Sequence, residues 1–123
     1  MRIRPERVAQ AMRREIADIL PNLRDPRLAA RMISVTEVEV TQDLSSARVF
    51  VSTLETGAER DGALAALASA AGFIRHELAP RLGLREVPEL RFLLDSSIER
   101  GARVEDLLRR IARGEPVEDE ETP

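Results

Sequence analysis

The sequence contains no cysteine, no tryptophan, no tyrosine and no lysine, and it has one histidine, His76. Without cysteine there is no disulfide scaffold, no thiolate metal site and no sulfur nucleophile. No ligand set of suitable type and spacing accompanies His76, and a lone helical histidine is ordinarily a surface or core-edge residue. Neither a P-loop nor a dinucleotide-binding glycine pattern is present. These absences leave no catalytic apparatus, no cofactor and no metal to expect. Aromatic residues make up 2%, namely Phe50, Phe73 and Phe92. That is too few for a base-stacking platform of the RRM or OB type, and all three read as core residues. No apolar run approaches the roughly 20 residues of a membrane span. The opening Met1-Arg2-Ile3-Arg4-Pro5 does not lead into the apolar stretch of a secretory signal. The expectation is a monomeric cytoplasmic protein without a membrane association.

What is present is charge on an ordinary apolar background. Of the 123 residues, 33% are charged and 43% hydrophobic, the balance of a single folded domain with one modest core. All 19 basic residues are arginine. Arginine binds phosphate well because its planar fork is bidentate. The net charge is −3, but Glu115, Glu118, Asp119, Glu120 and Glu121 crowd the end of the chain, and without those five acids it becomes +2. We read residues 1–112 as the domain and residues 113–123 as an acidic, disordered tail.

Periodicity orders the elements. A first helix starts at Pro5, a residue suited to the first helical position. Val8, Met12, Ile16, Ile19 and Leu20 recur at helical spacing up to Pro21. Residues 22–31 form a loop with Arg24-Asp25-Pro26-Arg27 at its centre. Two β-branched strands follow, residues 33–41 and 47–54, joined at Asp43-Leu44-Ser45-Ser46 as an antiparallel hairpin. The alternation of the first slips between Val35 and Val38, which predicts a bulge. A second helical region opens near Thr56, where Thr56 and Glu59 have capping-box spacing. Leu64, Leu67, Ala71, Ile74 and Leu78 mark its apolar face, Gly72 suggests a kink that divides it in two, and Pro80 sits near its end. Residues 89–95 form a third strand. Ser96 and Glu99 then open a last helix with Ile98, Ala102, Leu107, Leu108 and Ile111 on its apolar side. The class is α+β, order α-β-β-α-(kink)-α-β with a C-terminal helix, the helices packed on one face of a three-stranded sheet.

One segment invites a functional reading on its own. If two helices meet at Ala70-Ala71-Gly72, the small residues let a nucleic-acid backbone approach, and the amides opening the second helix offer a phosphate site. Arg75 follows within a turn. The structural alternative is that Gly72 permits close packing.

Several stretches together resemble the ribosome-binding factor A family: Arg7-Val8-Ala9-Gln10 leading to Glu15-Ile16; Asp25-Pro26-Arg27-Leu28; Asp43-Leu44-Ser45-Ser46-Ala47-Arg48-Val49-Phe50-Val51; Ala70-Ala71-Gly72-Phe73-Ile74-Arg75; Val87-Pro88-Glu89-Leu90-Arg91-Phe92; and Asp95-Ser96-Ser97-Ile98 with Gly101, Arg103 and Val104. The resemblance covers roughly residues 5–111. It implies a type II KH-like fold and binding to small-subunit (16S) ribosomal RNA. It also implies a role in late maturation of that subunit, with processing of the RNA 5′ end and cold adaptation. In this family an Ala-x-Gly kink, here Ala70-Ala71-Gly72, stands where most KH domains carry Gly-x-x-G. A clamp on roughly four nucleotides has no Gly-x-x-G here to rest on. The RNA-binding candidates are Arg4, Arg7, Arg14, Arg24, Arg27, Ala70, Ala71, Gly72, Arg75 and Arg103. A protein-interaction module built on the same helices is the alternative of a different class.

Overall fold

Apolar residues of the first helix at steps of three and four, and alternating valines in two strands, require a helix laid across a sheet, and that is the arrangement adopted. The computed structural model of the chain describes residues 4–28 and 32–114, with backbone alone for residues 97–104. The elements are α1 (Pro5–Ile19), a 3-10 turn (Leu20–Asn22), β1 (Ile33–Val40), β2 (Ser46–Thr53), α2 (Gly57–Leu82), β3 (Glu89–Leu94) and α3 (Ser97–Ala112). Proline begins α1, as expected, and Val8, Met12, Ile16 and Ile19 form its buried stripe. Arg4 is the N-cap and offers no side-chain cap.

The sheet order is β1-β2-β3. β1 and β2 pair antiparallel, and the register shifts between Val35 and Glu37, so Thr36 is the extra residue of the expected bulge. β2 and β3 pair parallel, which the crossover through α2 permits. The hairpin turn is held by Asp43, whose Oδ1 accepts from the Ser45 amide at 3.1 Å, the Ser45 hydroxyl at 2.7 Å and the Thr41 hydroxyl at 2.8 Å. Leu44, in the same turn, takes φ 61°.

One face of the sheet carries the core. Val35, Val38, Ala47, Val49, Val51 and Leu90 meet Met12 and Ile16 of α1 and Leu67, Ile74 and Leu78 of α2. At about 25 cal/mol per Å² of apolar surface removed from water, this single layer is the main stabilising term of the fold.

Three expectations change. The helical region around Gly72 is one unbroken helix of 26 residues, Gly57–Leu82. Alanines on both sides favour the helix enough to carry the roughly 1 kcal/mol disadvantage of glycine. Pro80 falls in the last turn and is tolerated there, and the helix ends at Gly83, in the left-handed conformation with φ 64°. Next, Thr56 and Ser96 are the N-cap residues of α2 and α3, but neither side chain makes a capping hydrogen bond. Last, α3 does not bury the apolar side assigned to it: Leu107 and Leu108 are exposed, and Ile111 is 57% exposed. Ile98 and Ala102 have side chains outside the described residues, and most of the predicted tail also lies outside them.

Candidate nucleic-acid interface

An arginine that a carboxylate of its own chain already holds must give up that pair to bind phosphate, so the unheld arginines are the readier ones. By that criterion the arginines divide. Arg27 is engaged: its Nε and Nη2 donate to the two oxygens of Asp25 at 3.1 and 2.8 Å, and its amide donates to Oδ1 at 2.9 Å. The guanidinium holds the Asp25 carboxyl below the usual carboxylate range. Arg81 bridges α2 to α1 through Glu15 at 3.1 Å and Asp18 at 2.7 Å. Arg48 pairs with Glu39, Arg60 with Asp61, and Arg109 with Glu105.

The arginines of the first helix are different. Arg4 at the N-cap and Arg7 and Arg14 within α1 are exposed and have no partner among the described residues; the same holds for Arg24 just beyond the helix, for Arg13 on another flank of α1, and for Arg85 and Arg91 elsewhere. Positions 4, 7, 11 and 14 advance by three, four and three residues, so the three arginines line one stripe with Ala11 between them. The stripe lies away from the buried stripe of Val8, Met12, Ile16 and Ile19. Arg7 and Ala11 border a shallow depression with Leu82, Gly83 and Leu84 at the end of α2. The result is a solvent-facing row of arginines along one helix face, suited to a phosphate backbone and indifferent to sequence.

The segment 70–75 does not form the predicted phosphate site. Because α2 is continuous, its amides there lie within a helix rather than at a helix start. Ala70 and Ala71 pack against the core, and only Gly72 of the three is exposed. A Cβ added at Gly72 would meet nothing within 4 Å, so close packing does not explain the glycine. Arg75 turns inward. Its Nη2 donates to the Val87 carbonyl at 2.7 Å, and its Nε is buried without a partner. That bond ties α2 to the approach of β3.

Sequence reasoning missed the neighbour of Gly72. Phe73, read as core, is 53% exposed. With the exposed Ala65, Ala68 and Ser69 it gives α2 a face of mostly small side chains, with His76 at its end. Phe50 is half-buried on the helix-free side of the sheet, beneath the Arg48 guanidinium at 5.9 Å. Of the three, only Phe92 packs against the core as expected. The signal that could have exposed Phe73 is its place in the helical repeat: Leu67, Ile74 and Leu78 share a stripe that Phe73 does not. The helix-free sheet face is not a second basic surface, because Arg48 and Arg91 share it with Glu37, Glu39 and Glu89. Arg103 has its side chain outside the described residues.

Among the described residues no group of three or more histidine or acidic side chains could hold a metal ion. No helix among them is long and apolar enough to cross a membrane.

The family model described as ribosome-binding factor A matches residues 4–108. Ribosome-binding factor A of Acetivibrio thermocellus is 50% identical over 106 residues, covering 85% of this chain and 85% of that protein. The crystal structure of ribosome-binding factor A from Thermus thermophilus superposes with a TM-score of 0.65 at 30% identity, covering 73% of this chain and 93% of the other. A Thermus thermophilus ribosome-binding factor A model, fitted into a cryo-electron microscopy map of a 30S complex, gives a TM-score of 0.60 at 31% identity. It covers 72% of this chain and 91% of the other.

Proposed function

The chain belongs to the ribosome-binding factor A family, and from that premise we propose that it binds the small ribosomal subunit through the arginine stripe of α1. The ligand is the phosphate backbone of 16S ribosomal RNA, and the setting is late maturation of the subunit in the cytoplasm. The observation that carries this reading is that Arg4, Arg7, Arg14 and Arg24 are exposed on or beside one helix without an acid partner among the described residues. The helix fixes the spacing from which these arginines reach out, and each phosphate they meet releases condensed counterions. The contact positions the factor, while the shape of the folded RNA selects the place. The 30S complex of the Thermus thermophilus relative supports this choice of partner.

The Gly72 face of α2 contributes in a second way. With no side chain at Gly72 and small residues around it, an RNA backbone can lie close to the helix, and Phe73 offers an exposed ring for a base to stack on. The arginine stripe supplies the charge and the small-residue face supplies the fit. The chain carries no chemistry of its own in this reading. Processing of the RNA 5′ end, and its demand in the cold, follow from the factor holding the RNA in a form that nucleases can act on.

The test is salt-titrated binding to purified subunits. Binding to small subunits that weakens steeply with salt, with far weaker binding to large subunits, is the expected outcome. Equal affinity for both subunits, or affinity indifferent to salt, overturns the reading.

A further inference from the structure

β1 is a margin of the sheet, paired with β2 on one side only. Along its other side runs an open groove of about 420 Å³, bounded by Glu6, Gln10 and Arg13 of α1 and by the five consecutive residues 36–40 of β1. Successive side chains of a strand point to opposite faces. Five in a row can line one groove only if it follows the strand's edge. The hydrogen bonding agrees. The Thr41 amide donates to the Ser46 carbonyl at 3.0 Å. Bonded and non-bonded pairs alternate in an antiparallel ladder, so the amides and carbonyls of Val38 and Val40 face away from β2, into the groove. Glu6, Gln10 and Arg13, the helix side chains in the groove able to bond them, hold no partner among the described residues.

We propose that this edge is a docking groove for a short, basic, extended peptide segment of a protein partner, which joins the sheet as a fourth strand. Main-chain bonds to Val38 and Val40 supply the attachment, and the flanking side chains supply the selection. The acids Glu6, Glu37 and Glu39 outnumber Arg13 there, and among the described residues Glu39 alone of the three is engaged, by Arg48. A lysine- or arginine-bearing strand meets, at Glu6 and Glu37, carboxylates that no described residue holds. A second copy of this chain does not fit, because two such edges would bring acid against acid. The bulge at Thr36 interrupts the regular edge, which limits the added strand to a few residues.

The experiment uses the full chain and two synthetic ten-residue peptides, one alternating lysine with valine and one alternating glutamate with valine. Amide exchange and backbone shifts are followed by NMR. The lysine peptide is expected to slow exchange at Val38 and Val40 by about tenfold or more and to shift residues 36–40 with Glu6 and Gln10. The glutamate peptide is expected to bind at least about tenfold more weakly. The double variant Glu6→Lys, Glu37→Lys, on exposed positions, should reverse that preference in a protein that still folds, its melting temperature lowered by a few degrees because Glu6 stands in the first turn of α1, and Arg7→Ala with Arg14→Ala should leave peptide binding as it was. Failure of the lysine peptide to bind, equal binding of both peptides, or protection elsewhere than Val38 and Val40 overturns the proposal. Protection of those amides by an RNA oligonucleotide but by neither peptide overturns it too, and would make the groove an RNA site.

Discussion

Asp43 and Arg75 show how single side chains here act on the backbone rather than on a ligand. The Asp43 carboxyl accepts hydrogen bonds from Ser45 and Thr41, and these hold it at about 2, below its ordinary value of 3.8. A carboxyl held low in the folded state stabilises the fold above its unfolded value, and that contribution disappears as pH falls through the folded value. The hairpin contribution is therefore complete above about pH 4 and lost on approach to pH 2. Thermal melts across that window should fall less steeply for Asp43→Asn than for the parent, and superimposable curves would show that the turn does not depend on the charge. Arg75 makes the opposite kind of prediction from the one its position in the motif implies. Arg75→Ala leaves the Val87 carbonyl without its charged donor, which costs about 1–2 kcal/mol. Chemical denaturation should detect that loss, while affinity for the small subunit per folded molecule stays unchanged.

At the scale of elements, Gly72 and α3 separate what the sequence makes legible from what it does not. The buried stripe of α1, the bulge of β1 and the hairpin at Asp43 are all local, and spacing alone reveals them. The parallel pairing of β3 with β2 joins Leu90 to Ala47 and Phe92 to Val49, residues far apart in the chain, and no local pattern records that. The apolar side of α3 is visible as periodicity, but periodicity does not say whether anything covers it. Leu108, at 60% exposure, and Ile111, at 57%, are uncovered. The pairing of Arg81 with Glu15 and Asp18 is likewise a product of helix packing, so which arginines remain free could not be read beforehand. Both helices can be probed by substitution. Leu108→Glu with Ile111→Glu should leave the melting temperature within a few degrees, since exposed substitutions usually change stability by less than about 0.5 kcal/mol each. A collapse of the fold would show that α3 packs after all. Gly72→Ala adds a methyl that meets nothing and raises helix propensity by up to about 1 kcal/mol. Equal or higher stability with weaker subunit binding is the expected pair of results. Normal binding would remove Gly72 from the RNA face.

The whole molecule is sided. α1 presents the arginine stripe on one flank, the groove between α1 and the edge of β1 presents Glu6 and Glu37 on another, and α2 presents a strip of small side chains around Gly72. A net charge of −3 conceals this, because the acids crowding the chain's end outweigh the domain's own balance. RNA binding by such a molecule depends on where unpaired guanidinium groups stand. The most direct measurement is the affinity for purified small ribosomal subunits over a series of salt concentrations, comparing the parent chain with Arg4→Ala, Arg7→Ala, Arg14→Ala. Each phosphate contact contributes roughly 0.7–0.9 to the slope of log affinity against log salt. The triple variant should therefore bind more weakly, with a slope shallower by about 2 and an unchanged melting temperature. A folded triple variant with the parent's affinity and slope would contradict the assignment of the RNA surface to α1.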